Sequence, residues 1–206
     1  MTTEWLYLAS QSPRRRQLLG QIGVAHELLL PGPDEDAEAL EAEREDEAPR
    51  EYVERVTLNK LWAACERLAQ RGLTLAPVLC SDTTVALGQR ILGKPADEAE
   101  ALATLRRLSG RTHDVLTAVA VAVPAVAGGW QQRLAVSVSH VSFAELPEEV
   151  LRAYVASGEP FGKAGAYAIQ SSLAGWIPRI EGSYSGIMGL PLYETTQLLR
   201  EVGLRC

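Results

Sequence analysis

Nine residues near the N-terminus constrain the fold more than any other stretch: Leu8-Ala9-Ser10-Gln11-Ser12-Pro13-Arg14-Arg15-Arg16. An apolar strand over residues 5–9 runs into a polar turn. Ser12 then stands at a helix N-cap position and Pro13 at the first helical position, where its missing N–H costs nothing. Leu18, Leu19 and Ile22 give that helix an apolar face. The pattern predicts a strand-to-helix corner with three arginines in the first helical turn. A helix N-terminus is already electropositive and carries free N–H donors, so added cations destabilise it unless an anion is held there. The corner reads as a phosphate or polyphosphate site. A solvated basic helix start is the plainer alternative.

Composition sets the frame for that site. A chain of 206 residues, 47% hydrophobic and 22% charged, has the make-up of a globular domain with a substantial core. No apolar run is long enough to span a bilayer: residues 115–126 are short, β-branched and broken by Pro124. No basic-then-apolar leader precedes the first strand. Cys65, Cys80 and Cys206 are far apart and odd in number, which suits a reducing, cytoplasmic setting. The net charge of −6 is unfavourable for an anion ligand until its distribution is considered. Residues 34–47 hold nine acids and one arginine, a local sum of −8, which leaves +2 for the remainder. That stretch lacks apolar periodicity and reads as an exposed, mobile loop. No basic and aromatic stripe suggests a nucleic-acid partner.

Strands and helices alternate along the first half. A short strand is expected over residues 26–30, a helix from Pro49 to near Gly72, and a buried strand over residues 77–80. Residues 83–87 and 90–92, joined by Gly88-Gln89, read as a hairpin. Asp97 caps a helix that stops at Gly110. Residues 113–123 and 130–143 read as an antiparallel pair, followed by a helix from Pro147, a strand over 174–180 and a last helix from Pro191. With no repeat and no linker, the expectation is a single α/β domain over residues 1–206. It has a mixed, twisted sheet flanked by helices and bent into two lobes around a central cleft.

Several residues could carry chemistry. Asp82 is expected at the end of a buried strand, where α/β proteins place ligands; taken alone, an Asp making local turn hydrogen bonds is the commoner reading. Lys94, between Gly93 and Pro95, is held in a way that suits a phosphate, although the surrounding residues do not form a P-loop. In residues 158–170, small residues surround Lys163, Tyr167 and Gln170; they allow close backbone approach, and an amide can read a base edge. Close loop packing is the alternative. His26, His113 and His140 form no zinc-ligand spacing, and no G-x-S-x-G elbow is present.

Together these segments resemble the Maf proteins, a family of nucleoside triphosphate pyrophosphatases once described as septum-formation inhibitors. The matching pieces are residues 8–19 (LASQSPRRRQLL), 81–83 (SDT), 92–95 (LGKP), 108–113 (LSGRTH), 158–160 (GEP), 163–167 (KAGAY) with Ile169 and Gln170, 182–185 (GSYS) and 189–192 (GLPL). They keep the family's order and cover nearly the whole chain. The resemblance implies a Maf/ITPase-like fold, hydrolysis between the α and β phosphates, a divalent cation (Mg²⁺ or Mn²⁺) and a homodimer. Within the family, Arg14, Thr83 and Gln170 match the branch acting on dTTP and UTP. The sister branch acting on 7-methyl-GTP typically has an aromatic residue after Ser-Pro. A non-catalytic nucleotide-binding regulator of cell division is the alternative from another class.

By that resemblance, Arg15, Lys60 and Lys94 face the triphosphate, Glu35 helps hold the metal, and Asp82 is either the base or a metal ligand. Ser12, Arg14, Thr83, Lys163 and Gln170 contact the substrate. An ordinary aspartate, with a pKa of about 3.9, is a weak base at neutral pH, so the water needs further activation. The chain departs from the family pattern at Gly162, where an Asp is common, and at Asn59, where a Glu usually precedes the lysine. Ser81 and Thr84 are further departures. The acidic stretch after Glu35 is also longer, which loosens the register that assigns Glu35.

Overall fold

The strand-to-helix corner forms as the N-terminal residues dictate. In the computed structural model, which describes residues 4–36 and 39–204, β1 (Trp5–Leu8) is followed by α1 (Pro13–Gln21). The Ser12 hydroxyl caps α1 by accepting from the Arg15 main-chain N–H at 3.4 Å. Leu18 and Leu19 are buried, each worth about 1.5–3 kcal/mol. That burial offsets the cost of crowding arginines at the electropositive end.

The chain continues through β2 (Ala25–Leu28), α2 (Pro49–Gln70), β3 (Val78–Leu87), β4 (Arg90–Leu92) and α3 (Glu98–Leu108). The second half adds β5 (Thr112–Pro124), β6 (Trp130–Ser142), α4 (Glu148–Ala156), β7 (Arg179–Glu181), α5 (Tyr184–Ile187) and α6 (Leu192–Glu201). The seven strands form one mixed sheet in the order β2-β1-β3-β5-β6-β7, with β4 paired to β3 off that path. β1 runs parallel to β2 and β3; the other pairings are antiparallel.

Side-chain alternation along β5 divides the core between the two faces. Leu116, Ala118, Ala120 and Ala122 lie under α2 with Val53, Val56, Leu61 and Ala64. The alanines let the helix approach closely. Val119 and Val121 point the other way, onto Leu18 and Leu19 of α1 and Leu198 and Leu199 of α6. A further cluster packs Leu105 and Leu108 of α3 and Leu151 of α4 against Val115 and Val141.

Three expectations from sequence are corrected. The strand pieces at 77–80 and 83–87 are one strand, β3, registered without a break against β5, with Asp82 opposite Ala118. The polar run Ser81-Asp82-Thr83-Thr84 looks like a turn but is strand, and its first three residues line a cavity. The strand expected over 174–180 is instead a 3-10 turn, Ser172–Trp176, and the short β7. Ser171 caps that turn by accepting from Leu173 N–H, and Pro178 has no N–H for a ladder. Residues 34–47, expected as a loose loop, contain the 3-10 turn Ala39–Glu41 and are tied to α2, as described below. Residues 37–38 of that segment, and Cys206, lie outside the described residues. The described cysteines, Cys65 and Cys80, are free and buried.

Candidate active site

The site arises from a gap in the sheet. β1 ends with Leu8 opposite Leu79, and β4 enters with Leu92 opposite Val85, so residues 80–84 have a strand on the β5 side only. The carbonyls of Pro77 and Leu79 accept from Tyr7 and Ala9 N–H. The two-residue period therefore turns the main-chain groups of Ser81 and Thr83 toward the gap. What ends beside Asp82 is the neighbouring strand, not its own. The gap opens into a cavity of about 490 Å³, within the range of small-molecule sites.

Each wall delivers named side chains. From the α1 corner come Ser12, Arg14 and Arg15. Arg15 is fixed from three directions: Nε donates to Gly189 O at 2.7 Å, while Nη1 and Nη2 donate to the Ser10 and Thr83 hydroxyls at 3.4 Å. Burial pulls the Arg15 pKa down, and nearby Asp82 opposes that shift. The Thr83 hydroxyl meets that of Thr117 at 3.0 Å, and Thr117 donates to Gly186 O. Thr83 thus links α1, through Thr117, to α5.

From α2 comes Lys60, whose ammonium donates to Asp82 Oδ1 at 2.6 Å and to Glu41 Oε1 at 2.7 Å. Lys94 follows β4 and donates to the other Glu41 oxygen at 2.5 Å. Burial alone would lower the Lys60 pKa, but Asp82 and Glu41 outweigh it and raise it. Burial would likewise raise the Glu41 carboxyl, and Lys60 with Lys94 instead holds it below the ordinary range. Lys60 and Glu41 thereby hold each other in their charged forms. Among the described residues nothing donates to Asp82 Oδ2, although Asp82 lines the cavity.

The structure does not bring Glu35 to this cluster. Arg67 donates from Nε to both Glu35 oxygens at 2.9 Å and from Nη2 at 2.5 Å, and Gly32 N–H adds a bond at 2.9 Å. The Arg67 hydrogen bonds hold the Glu35 carboxyl down at about 2. Glu35 is an anchor, and the carboxylate beside Asp82 is Glu41. The acidic segment runs on past Glu35 and brings Leu40 and Glu41 to the cavity wall. Its return is fixed by Tyr52 Oη on Glu41 O, and by Arg55 on Ala42 O and Glu47.

Of the other expected residues, Lys163 lines the cavity, with its ammonium on Glu159 O. Gln170 is exposed and is not part of the cavity wall. Sequence reasoning did not single out Glu41, nor Thr117, which braces Thr83, nor Phe161 on the cavity wall. Glu41 carries no local signal that separates it from its acidic neighbours; the signal for it is three-dimensional, in the two lysines that converge on it.

Asp82 and Glu41 make a two-carboxylate donor set, and the described residues hold no group of three or more metal-ligating side chains. This set fits Mg²⁺ or Mn²⁺ completed by phosphate oxygens and water rather than by an all-protein cage.

The chain is 59% identical over 202 residues to a dTTP/UTP pyrophosphatase of Polaromonas sp. strain JS666, covering 98% of each chain. It is 60% identical over 202 residues to a dTTP/UTP pyrophosphatase of Cupriavidus metallidurans, again covering 98% of each. A dTTP/UTP pyrophosphatase of Burkholderia pseudomallei is 62% identical over 196 residues, 95% of this chain and 92% of that one. Among solved structures, a HAM1 protein from Coxiella burnetii superposes with a TM-score of 0.50 at 15% identity, over 97% of this chain and 100% of that one; it speaks for the fold alone. The family described as Maf-like protein matches residues 5–202, from the first residue of β1 to just beyond α6. The chain belongs to the Maf-like protein family.

Proposed function

We propose that this protein is a nucleoside triphosphate pyrophosphatase that hydrolyses dTTP and UTP to the nucleoside monophosphate and pyrophosphate. The observation that carries the reading is Lys60 held between Asp82 and Glu41 at the sheet gap, with Lys94 and Arg15 on the same cavity. Three cations at one small site suit a triphosphate, whose charge must be neutralised as the leaving group departs. Lys60 occupies Asp82 Oδ1 and so fixes the carboxylate with Oδ2 toward the cavity. That oxygen orients the attacking water and takes its proton. The water oxygen bonds to the α phosphorus, the bridge to the β phosphate breaks, and Lys94 with Arg15 stabilises the departing pyrophosphate. Asp82 and Glu41 would hold Mg²⁺ or Mn²⁺, which when bound polarises phosphate oxygens and lowers the pKa of a bound water.

Arg14 and Thr83 reach the cavity and are assigned to pyrimidine selection; a site built to pair one base edge rejects bases that leave it unpaired. The test is pyrophosphate release from dTTP, UTP and 7-methyl-GTP with Mg²⁺ or Mn²⁺. Turnover of dTTP and UTP is expected. Turnover of 7-methyl-GTP alone would assign the sister specificity, and nucleotide binding without turnover would assign a regulator.

The family resemblance also supports a homodimer, to be read as a sedimentation mass twice the 22.3 kDa of the chain. No helix among the described residues is long and apolar enough to cross a membrane. A cytoplasmic location is part of the same proposal.

A further inference from the structure

We infer that Phe161 is the platform on which the nucleobase stacks, a reading that rests on the pyrophosphatase assignment above. The cavity wall is polar where Asp82, Glu41 and the lysines gather, and a pyrimidine ring finds no partner there. Two aromatic residues line the cavity, Tyr167 and Phe161. Tyr167 is already engaged: it is buried, its ring packs edge-on against His113 and Phe143, and its hydroxyl meets His113 Nε2 at 2.7 Å. Phe161 is 38% exposed, so part of its ring surface remains for a ligand.

Its exposure is built into the loop. Gly158 and Gly162 bracket it with φ of 76° and 71°, a backbone that L side chains rarely adopt. Phe161 N–H donates to Gly158 O, Lys163 N–H to Pro160 O, and the Lys163 ammonium to Glu159 O. These bonds hold the aromatic side chain at the cavity beside a lysine, so the base would sit on the ring while a cation faces the sugar-phosphate end. Because every base has a π-face, the platform supplies affinity without selecting among bases. Selection stays with the polar groups on the α1 and β3 walls.

The experiment compares Phe161→Ala, Phe161→Leu and Phe161→Tyr in the full-length protein. Base–aromatic stacking lost to alanine predicts a KM for UTP and dTTP raised by about 5- to 100-fold, by similar factors for both. Inhibition by inorganic tripolyphosphate, which has no base, is expected to stay within about twofold. Tyr should restore KM and Leu should not, since Leu fills space without a π-face. An unchanged KM in Phe161→Ala, a parallel loss of tripolyphosphate affinity, or rescue by Leu equal to that by Tyr would overturn the inference. If the wild-type protein turns over no nucleotide, the pyrophosphatase reading fails by itself. UMP binding by calorimetry then decides the platform: weaker in Phe161→Ala supports it, equal overturns it.

Discussion

Lys60 is bonded to two carboxylates at once, and this pairing organises the chemistry of the site. A buried cation with one partner removed leaves an uncompensated charge, so the members of the cluster act as a unit. Glu35 and Glu41, six positions apart in one acidic segment, differ in role because one meets arginine and the other lysine and the cavity. Glu41→Gln should lower kcat by about 10²-fold with the fold retained, the scale of losing one preorganised charged group. Glu35→Gln should leave kcat much nearer wild type and act on stability. The Glu35 carboxyl lies below its ordinary 4.5, at about 2, so its stabilisation is present above pH 4.5 and is lost as pH falls toward 2. In an acid denaturation series, the stability gap between wild type and Glu35→Gln should therefore close across that window; a constant gap would contradict the anchor role. Asp82 and Lys94 were legible in the sequence because a motif surrounds each, whereas Lys60 came only from the family resemblance. Glu41 was not, because nine acids in one run look alike until the lysines select one.

At the scale of elements, the α1 corner and the long helices were legible from capping and apolar spacing. The continuity of β3 was not, because its polar centre imitates a turn; those polar residues are the price of placing a site on a strand. The turn Ala164–Ala166 shows why the glycine of the Lys163-Ala164-Gly165-Ala166-Tyr167 segment is needed. A Cβ on Gly165 would stand 2.8 Å from Val85, and its φ is +69°. Gly165→Ala is expected to destabilise the protein by about 1–3 kcal/mol in urea unfolding, from overpacking and backbone strain. A change under about 0.5 kcal/mol would mean that the turn moves off β3 freely.

For the molecule as a whole, charge and topology are arranged around the gap. The acidic segment, −8 in sequence, folds onto α2 beside a cavity lined by arginines and lysines. The strand that forms the site, β3, also lies between β1 and β5 in the sheet. A sheet shared by all the helical clusters should unfold as one unit. Far-UV circular dichroism and tryptophan fluorescence are expected to give coincident urea transitions; separated midpoints would mean independently folding lobes. Whether Asp82 activates the attacking water is decided by pyrophosphate release from saturating UTP by Asp82→Ala and wild type, both shown to be folded. The expected kcat of Asp82→Ala is lower by about 10²- to 10⁴-fold. A folded Asp82→Ala protein turning over UTP at close to the wild-type rate would contradict it.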